Sequence, residues 1–434
     1  MRRAALLLAL LLPGCECFRV NPVTGKSELS LYSDQDEIAL GAQAAPSMEQ
    51  ESGGLYKDPS LEAYVASVGA RLAAASDRKE IPHRYRILNS GIVNAFALPG
   101  GFVYISRGLL ARLHDESELA AVLGHETGHV AARHGVHHLQ LSMGLNVLLN
   151  IASRAAARSG PESAASAKAG LDLANLVANL GSLKYSRDDE RQADHLGIVY
   201  AERAGWDPRG MLGLMKVLQS SEQGEPGAFD AMLRTHPLTS ERIRNAEAEL
   251  ADRNAAEMSR RTRSTDAFDQ QIDRLRMAEK AYARHEKARG HLAKGQLLEA
   301  QEAEDEAIRM DPMQAPFFAT RAAVALRKHA PREALKDAGK ASALDPGLFE
   351  GAFLAGLAHL ELGEPPQARS ALLRASGLWP GHPGAPYYLG ILAEREGRRE
   401  EALARYRQAA GMDPQGLSYG KGAAEALSRL APAP

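Results

Sequence analysis

The residues best suited to chemistry lie at 125–129, which read His-Glu-Thr-Gly-His. Residues four apart share one face of a helix, so His125 and His129 can bind one metal ion. Zinc lowers the pKa of a bound water to about 7, which makes hydroxide available at neutral pH. The carboxylate of Glu126 can then accept a proton while water attacks a polarised carbonyl. The motif therefore predicts a metal-dependent hydrolase.

The sequence around the motif predicts the buried helix that a rigid two-histidine site needs. Apolar residues recur at helical spacing over 117–135, at Leu119, Val122, Leu123 and Val130, and alanines fill the positions between them. The alternative interpretation is a helix that carries two surface histidines.

An acidic stretch downstream, YSRDDERQADHLG at 185–197, contains the candidate third ligand. Catalytic zinc usually takes three protein ligands and leaves the fourth position to water. Glu190 and Asp194 share one face of a predicted helix, so Glu190 could bind zinc while Asp194 orients a ligand histidine. Taken alone, the stretch is more typical of a solvated helix face.

Together the two segments resemble the gluzincin peptidases of the CAAX-prenyl-protease and HtpX type, whose signature is HExxH followed by a helix reading roughly SRxxExxAD. The matching residues are Ser186, Arg187, Glu190, Ala193 and Asp194. The resemblance extends over most of the first 250 residues, including 21–41 and 93–110. It implies a zincin-like α+β metallopeptidase domain, mainly helical with a small β-sheet. One Zn²⁺ ion per chain would be held by His125, His129 and Glu190.

Residues 94–105 predict two strands joined by a turn, because β-branched and aromatic residues are interrupted by Pro99-Gly100-Gly101. In peptidases of this type, an edge strand near the zinc pairs with extended substrate by strand addition. Asn94 is therefore the candidate substrate-binding residue. The alternative for Asn94 is a turn former at the end of a strand.

The segment THPLTSERI also matches the family and contains His236. The following proline predicts an extended segment before a helix that opens at Thr239 or the next residue. His236 could approach the zinc, either as a fourth ligand that holds the enzyme closed or as a hydrogen-bond donor in the transition state. Arg242 or Arg244 could stabilise the oxyanion. The alternative is a helix-capping loop with an incidental histidine.

The residues that follow the motif are predicted to lie away from the metal. His134, His137 and His138 should occupy the solvated end of the zinc helix, where the helix dipole favours them. The Ala/Gly/Ser-rich segment 155–172 is predicted to be a mobile loop that could act as a lid over the site.

The N-terminus has the pattern of a bacterial secretion signal. Arg2 and Arg3 precede an apolar stretch at 4–12 that is too short to span a bilayer. The stretch ends in the letters LPGC, which resemble a lipobox and predict a signal peptide at 1–14 and lipidation of Cys15. The alternative is ordinary signal cleavage and a soluble periplasmic enzyme. No other segment reaches about 18 apolar residues, so a lipid anchor is the only expected membrane attachment.

Composition narrows the function classes. The formal net charge of −2 provides no basic footprint for nucleic acid. Only two cysteines are present, Cys15 and Cys17, so cysteine-based zinc sites, catalytic thiols and internal disulfides are excluded. A chain of 434 residues with 45% hydrophobic content is long enough for two domains.

The C-terminal part of the chain repeats with a period of 34 residues. The recurring positions are Pro312, Pro346, Pro380 and Pro414, with Ala300, Ala334, Ala368 and Ala402, and with Ala307, Ala341, Ala375 and Ala409. Small residues at two packing positions and a closing proline are the signature of tetratricopeptide repeats. We predict repeats at 279–312, 313–346, 347–380 and 381–414, with a capping helix at 422–430.

The predicted organisation is a signal peptide at 1–14, a zinc metallopeptidase domain at 15–250, a linker or connecting helix at 251–278, and an all-α tetratricopeptide-repeat solenoid at 279–434. Stacked repeats leave a concave face for a partner. The resemblance to family members with this organisation implies a periplasmic zinc endopeptidase that is tethered to the outer membrane. It would degrade or assist unfolded or misassembled outer-membrane proteins, with repeats that recruit substrate or the barrel assembly machinery. The alternative is a chaperone-like scaffold of outer-membrane assembly with a latent zinc site.

Overall fold

The structure is a computed structural model that describes residues 18–141, 185–222 and 230–430. The predicted signal peptide with Cys15 and the predicted lid at 155–172 lie outside the described residues. Within the described ranges, no helix is both long enough and apolar enough to cross a bilayer.

The first described residues form a small hairpin, which is followed by two helices. Strand β1 (Phe18–Val20) pairs antiparallel with β2 (Ser27–Leu29). Helix α1 (Asp34–Glu51) starts with a capping box at Ser33, and α2 (Pro59–Ala75) is capped by an aspartate with proline at its first position. These caps fix where each helix begins, so both helices present defined faces to the sheet that follows.

The sheet has three strands in the order β3–β5–β4. Strand β3 (Arg84–Leu88) runs parallel to β5 (Phe102–Ser106), while β4 (Ala95–Leu98) runs antiparallel to it. The predicted turn is confirmed: Gly100 has φ +76°, and a Cβ there would collide with the backbone of α1. A short helix, α3 (Arg107–Leu110), follows directly. Among the described residues, the outer side of β4 has no strand partner, so β4 is an edge strand.

Two helices pack together and carry the two motif segments. Helix α4 (Glu116–Ala131) is capped by Asp115, and all of its residues are buried. Helix α5 (Arg187–Arg203) starts with a capping box at Ser186. The helices approach so closely that a Cβ at Gly197 would lie 2.9 Å from the backbone nitrogen of His125. Glycine is therefore required where the two helices cross.

The remaining helices of this half cover the core around α4 and α5. They are α6 (Gly210–Glu222), α7 (Asp230–Thr235), α8 (Ser240–Ala251) and α9 (Ala255–Met258). The predicted start of the helix after His236 is confirmed, because Thr239 caps α8 by accepting a hydrogen bond from the backbone N–H of Arg242.

The C-terminal half consists of antiparallel helix pairs and a final helix. In chain order these are α10 (Asp266–Ala293), α11 (Leu297–Met310), α12 (Ala315–Arg327), α13 (Pro331–Leu344), α14 (Phe349–Leu362), α15 (Pro365–Leu378), α16 (Gly384–Arg395), α17 (Arg399–Met412) and α18 (Gly420–Leu430). All eight alanines of the period are 0% exposed, and each period proline lies two residues beyond the second helix of its pair. The predicted fold class is confirmed: a mainly helical domain with a small sheet, followed by helical repeats.

The two halves share one continuous core. Helix α10 runs without a break across residue 278, and its buried Phe268 packs in the same cluster as the residues around α4. Arg107, 1% exposed, pairs with Glu279, and its guanidinium lies 3.5 Å from the ring centroid of Tyr282. The boundaries at 250 and 278 stay predictions, but the segment between them is largely helical and packed.

The repeats also contact the N-terminal half of the chain, which carries the sheet, at a second place. The Nε2 of Gln50, at the end of α1, donates a hydrogen bond of 3.1 Å to the carbonyl of Gly347, between α13 and α14. Gly54 lies beside the side chain of Leu348. The helical array therefore contacts the N-terminal half with its first helix and again near its middle.

Candidate metal centre

Four buried side chains from three separate segments meet at one point. His125 and His129 come from α4, Glu190 from α5, and His236 from the loop between α7 and α8. Their ligand atoms all lie within 4.8 Å of one another, and each residue is at most 3% exposed. The structure thus brings together the three predicted ligands and His236, the candidate fourth ligand.

The spacing of these atoms fits a single metal ion. Ligand atoms about 2 Å from a tetrahedral ion lie about 3.3 Å from one another. The Nε2 atoms of His125 and His129 are 3.1 Å apart, and Glu190 oxygens lie 3.6 Å and 3.5 Å from them, respectively. Two imidazoles and a carboxylate are a typical donor set for a catalytic zinc ion, with one position left for water.

His236 lies close enough to complete the cluster. Its Nδ1 is 2.8 Å from an oxygen of Glu190 and 3.4 Å from the Nε2 of His125. Its Nε2 faces Glu126, with 3.9 Å between that nitrogen and the carboxylate. The same ring can therefore reach either the metal position or the space beside the candidate base.

Glu126 is 0% exposed, and neither of its carboxylate oxygens has a hydrogen-bond partner among the described residues. Burial raises the pKa of this carboxyl above its ordinary value. Buried polar atoms without partners are rare in native proteins and need an explanation. A metal-bound water provides one here, because it would donate to the carboxylate. The arrangement would suit a general base beside a metal ion.

Two charged residues lie behind the ligands. The Oδ1 of Asp194 is 3.0 Å from the Nδ1 of His125, the nitrogen that faces away from the cluster. Arg242 donates to both oxygens of Asp194, at 2.7 Å and 2.8 Å, and its third nitrogen is 2.6 Å from Glu190. Burial alone would raise the pKa of Asp194, but the guanidinium lowers it below its ordinary value. One arginine thus compensates two buried carboxylates; Arg244 is exposed.

The predicted solvated position of His134 was wrong. This histidine is 4% exposed, its Nδ1 lies 2.9 Å from the Nδ1 of His129, and its Nε2 lies 2.9 Å from Gln192. Helix α4 ends at Ala131, and the turn through Arg133, with φ +60°, directs His134 back against the ligand. His137, in contrast, is exposed as expected. The sequence spacing gave no signal for this contact, because residues five positions apart do not lie on the same face of a helix.

Tyr185 is a site residue that the sequence reasoning missed. Its ring stacks on the imidazole of His129, with centroids 4.0 Å apart, and lies 5.2 Å from the ring of His236. It is 7% exposed. The only available signal was its position directly before the SRxxExxAD segment.

Asn94 lies outside the metal cluster, at the other end of the edge strand. Its backbone N–H donates to the Oγ of Ser106 at 3.0 Å, and its Oδ1 is buried without a partner among the described residues. The residues around Ala97, in contrast, line a small cavity with His129 and Tyr185. Asn94 and Ala97 are three positions apart in extended chain, which corresponds to a distance of about 10 Å.

Comparison with known proteins connects the first half of the chain to a peptidase family. Residues 59–250 match the family model described as Peptidase family M48. The chain is 30% identical over 227 residues to the beta-barrel assembly-enhancing protease of Yersinia pestis. This match covers 52% of this chain and 46% of that protein. It is 26% identical over 263 residues to the metalloprotease YcaL of Escherichia coli (strain K12), covering 58% of this chain and 99% of that protein.

A further relative is the mitochondrial metalloendopeptidase OMA1 of Schizosaccharomyces pombe, 30% identical over 190 residues, with 44% of this chain and 53% of that protein covered. The chain thus spans about half the length of several relatives. Among solved structures, a thermophilic tetratricopeptide-repeat protein of Thermus thermophilus matches with 24% identity and a TM-score of 0.32. This match covers 38% of this chain and 90% of that chain.

Proposed function

We propose that this chain, whose residues 59–250 match the model of Peptidase family M48, is a zinc-dependent endopeptidase of the bacterial cell envelope. The observation that carries the proposal is the cluster of His125, His129 and Glu190 beside the unpartnered carboxylate of Glu126. A structural metal site has no need for a buried base at its open position. The donor set and the base together support hydrolysis.

Each residue then has a distinct task. Bound zinc would polarise the scissile carbonyl and acidify its water. Glu126 accepts the proton of the attacking water and returns it to the leaving amine. Asp194 holds the imidazole of His125 in one orientation, and Arg242 fixes Asp194 and Glu190 together. Since the guanidinium of Arg242 is engaged by these carboxylates, we assign it a positioning role; oxyanion stabilisation stays a prediction.

His236 is proposed to regulate access to the metal. As a fourth ligand it would occupy the position that water needs, so the enzyme would rest in a closed state. The short distance from its Nδ1 to Glu190 supports this interpretation. The alternative, a hydrogen bond from His236 to the transition state, is supported by the approach of its Nε2 to Glu126.

The proposed substrates are unfolded or misassembled outer-membrane proteins. Support comes from the name of the Yersinia pestis relative, a beta-barrel assembly-enhancing protease, and from the helical repeats that can bind protein partners. Edge strand β4 would bind extended substrate by strand addition, with Asn94 at one end. We further propose that the repeats recruit substrate or the barrel assembly machinery, and that Cys15 anchors the protein in the outer membrane from the periplasmic side.

The decisive experiment separates metal binding from chemistry. Glu126→Gln is nearly isosteric but cannot accept a proton, so we expect about one zinc per chain and a loss of casein cleavage on the order of 100-fold or more. Metal analysis and cleavage of an unfolded protein are measured on the same preparations. Activity within a few-fold of wild type would reject the base. A zinc-loaded wild type that cleaves nothing would favour the latent-site scaffold.

Attachment is tested separately in cells. Cys15→Ala should move the protein from the membrane fraction to the soluble fraction, because the several acyl chains of a lipoprotein anchor stably. Wild-type protein found wholly in the soluble fraction would support simple signal cleavage instead.

A further inference from the structure

A cleft of about 750 Å³ lies where the sheet meets the helical repeats. We call it the junction cleft. One wall is formed by the end of α1 and by the segment that leads into β4, including Asn94. The other wall comes from three repeat helices or their ends, with Glu286, Arg289, Glu350 and Trp379. The cleft therefore exists only because the repeats fold back onto the peptidase half.

Three polar atoms of residues that line the junction cleft are buried without a hydrogen-bond partner among the described residues. They are the Oδ1 of Asn94, the Oε2 of Glu350 and the Nε1 of Trp379. An unsatisfied buried polar atom destabilises a folded protein, because it loses its hydrogen bonds to water without replacing them. If these side chains turn into the cleft, they offer two acceptors and one donor, which are complementary to a ligand that carries N–H groups and a carbonyl. An extended polypeptide is such a ligand.

The charge of the junction cleft favours a cation. Three carboxylates, those of Glu51, Glu286 and Glu350, face a single arginine, Arg289. That arginine is 3.4 Å from Glu286, which is one turn before it on the exposed side of α10. Glu350 has no ion pair within 4.0 Å among the described residues. Burial raises the pKa of its carboxyl despite the opposing charge of Arg289. A basic side chain would supply the missing counter-charge.

The junction cleft is continuous with the strand that leads to the metal. Strand β4 has its Ala97 end beside His129 and its Asn94 end in the cleft. A chain added to β4 advances about 3.3 Å per residue, so about three residues separate these ends. A substrate cleaved at the metal would therefore place a residue three to five positions from the scissile bond in the cleft.

We propose that the junction cleft is a specificity subsite for a lysine or arginine side chain of an extended substrate, three to five residues from the bond that is cleaved. Glu350 binds the cation, while Asn94 and Trp379 bind the backbone. This inference rests on the proposed peptidase function. It gives the repeats a second task, because they supply part of the substrate-binding cleft and not only a distant recruitment surface.

The test uses full-length protein and internally quenched peptides that differ at one position. Lysine, glutamine or glutamate is placed three, four or five residues from the scissile bond, on either side. We expect kcat/KM for the best lysine peptide to exceed that of its glutamine counterpart by about tenfold, the effect of one charge-assisted contact. Glu350→Gln should reduce this ratio to about one by lowering kcat/KM for the lysine peptide. Glu333→Gln, an exposed carboxylate on α13, is the matched control.

A binding measurement keeps the cleft and the catalysis distinguishable. Uncleaved lysine and glutamine peptides are titrated into the Glu126→Gln protein, with and without Glu350→Gln, and fluorescence anisotropy gives Kd. A lysine preference that disappears with Glu350→Gln supports the cleft, even if no peptide is hydrolysed and the proposed function fails.

Two outcomes overturn the inference. One is the absence of any position-dependent lysine preference in the wild-type protein. The other is a Glu350→Gln variant that binds and cleaves lysine and glutamine peptides equally poorly, which indicates a structural role. Trp379→Phe is a second variant that tests the cleft independently, in case Glu350→Gln does not fold. It keeps an aromatic ring but removes the indole N–H donor, so kcat/KM should fall about tenfold for peptides that reach the cleft and by less for shorter peptides.

Discussion

The metal centre and the repeats bury different kinds of residue. Around the metal centre the buried side chains are charged or polar, and they come from positions as distant as His125, Glu190 and His236. In the repeats the recurring buried positions are alanines that meet their neighbours within one period. The metal centre is thus a set of mutually compensating groups, whereas each repeat depends mainly on the adjacent one.

The first repeat is intermediate between these two regions. Glu304 is 0% exposed and lies 2.9 Å from the Nδ1 of His285, which is also buried. No other repeat buries such a pair among the described residues. The first repeat, whose helix α10 shares a core with the N-terminal half, thus buries a pair of polar side chains as the metal centre does.

Removal of one compensating group should have the largest effect. Glu190→Ala deletes a proposed metal ligand and leaves Arg242 without one of its carboxylates, so bound zinc should fall below about one tenth per chain and peptide hydrolysis should be lost. Inductively coupled plasma analysis and cleavage assays measure both. Asp188→Ala, an exposed acidic residue on the same helix, should retain both properties. Undiminished zinc in Glu190→Ala would exclude Glu190 as a ligand.

Disruption of a repeat should damage stability without affecting the metal. Ala402 is 0% exposed, and Ala402→Leu should lower the free energy of unfolding by about 1–3 kcal/mol because the added atoms overpack the helix pair. Ala404→Leu, at an exposed position of the same helix, is the control. Thermal melts and zinc content are compared. Loss of zinc in Ala402→Leu would show that the two regions are coupled much more tightly than their packing indicates.

His236 tests whether the metal centre contains its own gate. If the histidine occupies the water position at rest, His236→Ala should cleave unfolded protein severalfold faster with zinc still bound. His195→Ala, exposed on α5, should behave as wild type. Abolished cleavage with full zinc would reject the gate and make His236 a transition-state donor.

The smallest expected effect concerns pH and the repeats. Burial lowers the pKa of His382 to about 4. In the unfolded chain the same imidazole has a pKa near 6.5, so protonation favours the unfolded state. The stability that depends on a neutral, buried His382 is therefore fully present above about pH 6.5 and is lost as pH falls toward 4. His382→Asn should therefore narrow the difference in Tm between pH 7 and pH 5 by a few degrees. His329→Asn is the control, since this side chain is 89% exposed. Equal pH dependence of Tm in His382→Asn and wild type would contradict the lowered pKa of His382.

The sequence predicted what depends on short or regular spacing. Two histidines four residues apart, a glycine turn and a 34-residue period are local signals, and the helix, turn and repeats they indicate are present. It missed His134 and Tyr185, because their contacts with His129 depend on a turn and on chain packing that spacing does not encode. The return of the repeats onto α1 could not be predicted either. It joins Gln50 to Gly347, and nothing in either local sequence indicates the other.

The buried arginine at the junction has a consequence for biosynthesis. Arg107 emerges from a ribosome or a translocon long before Glu279 and Tyr282, the partners that neutralise and cover it. Until then its charge must stay in water or lie uncompensated, so α3 and the end of β5 cannot settle early. A truncated or stalled chain that ends before residue 279 would carry the four residues of the candidate metal centre but lack both partners of Arg107. The order of synthesis therefore completes this buried charge pair only after the first repeat has begun to appear.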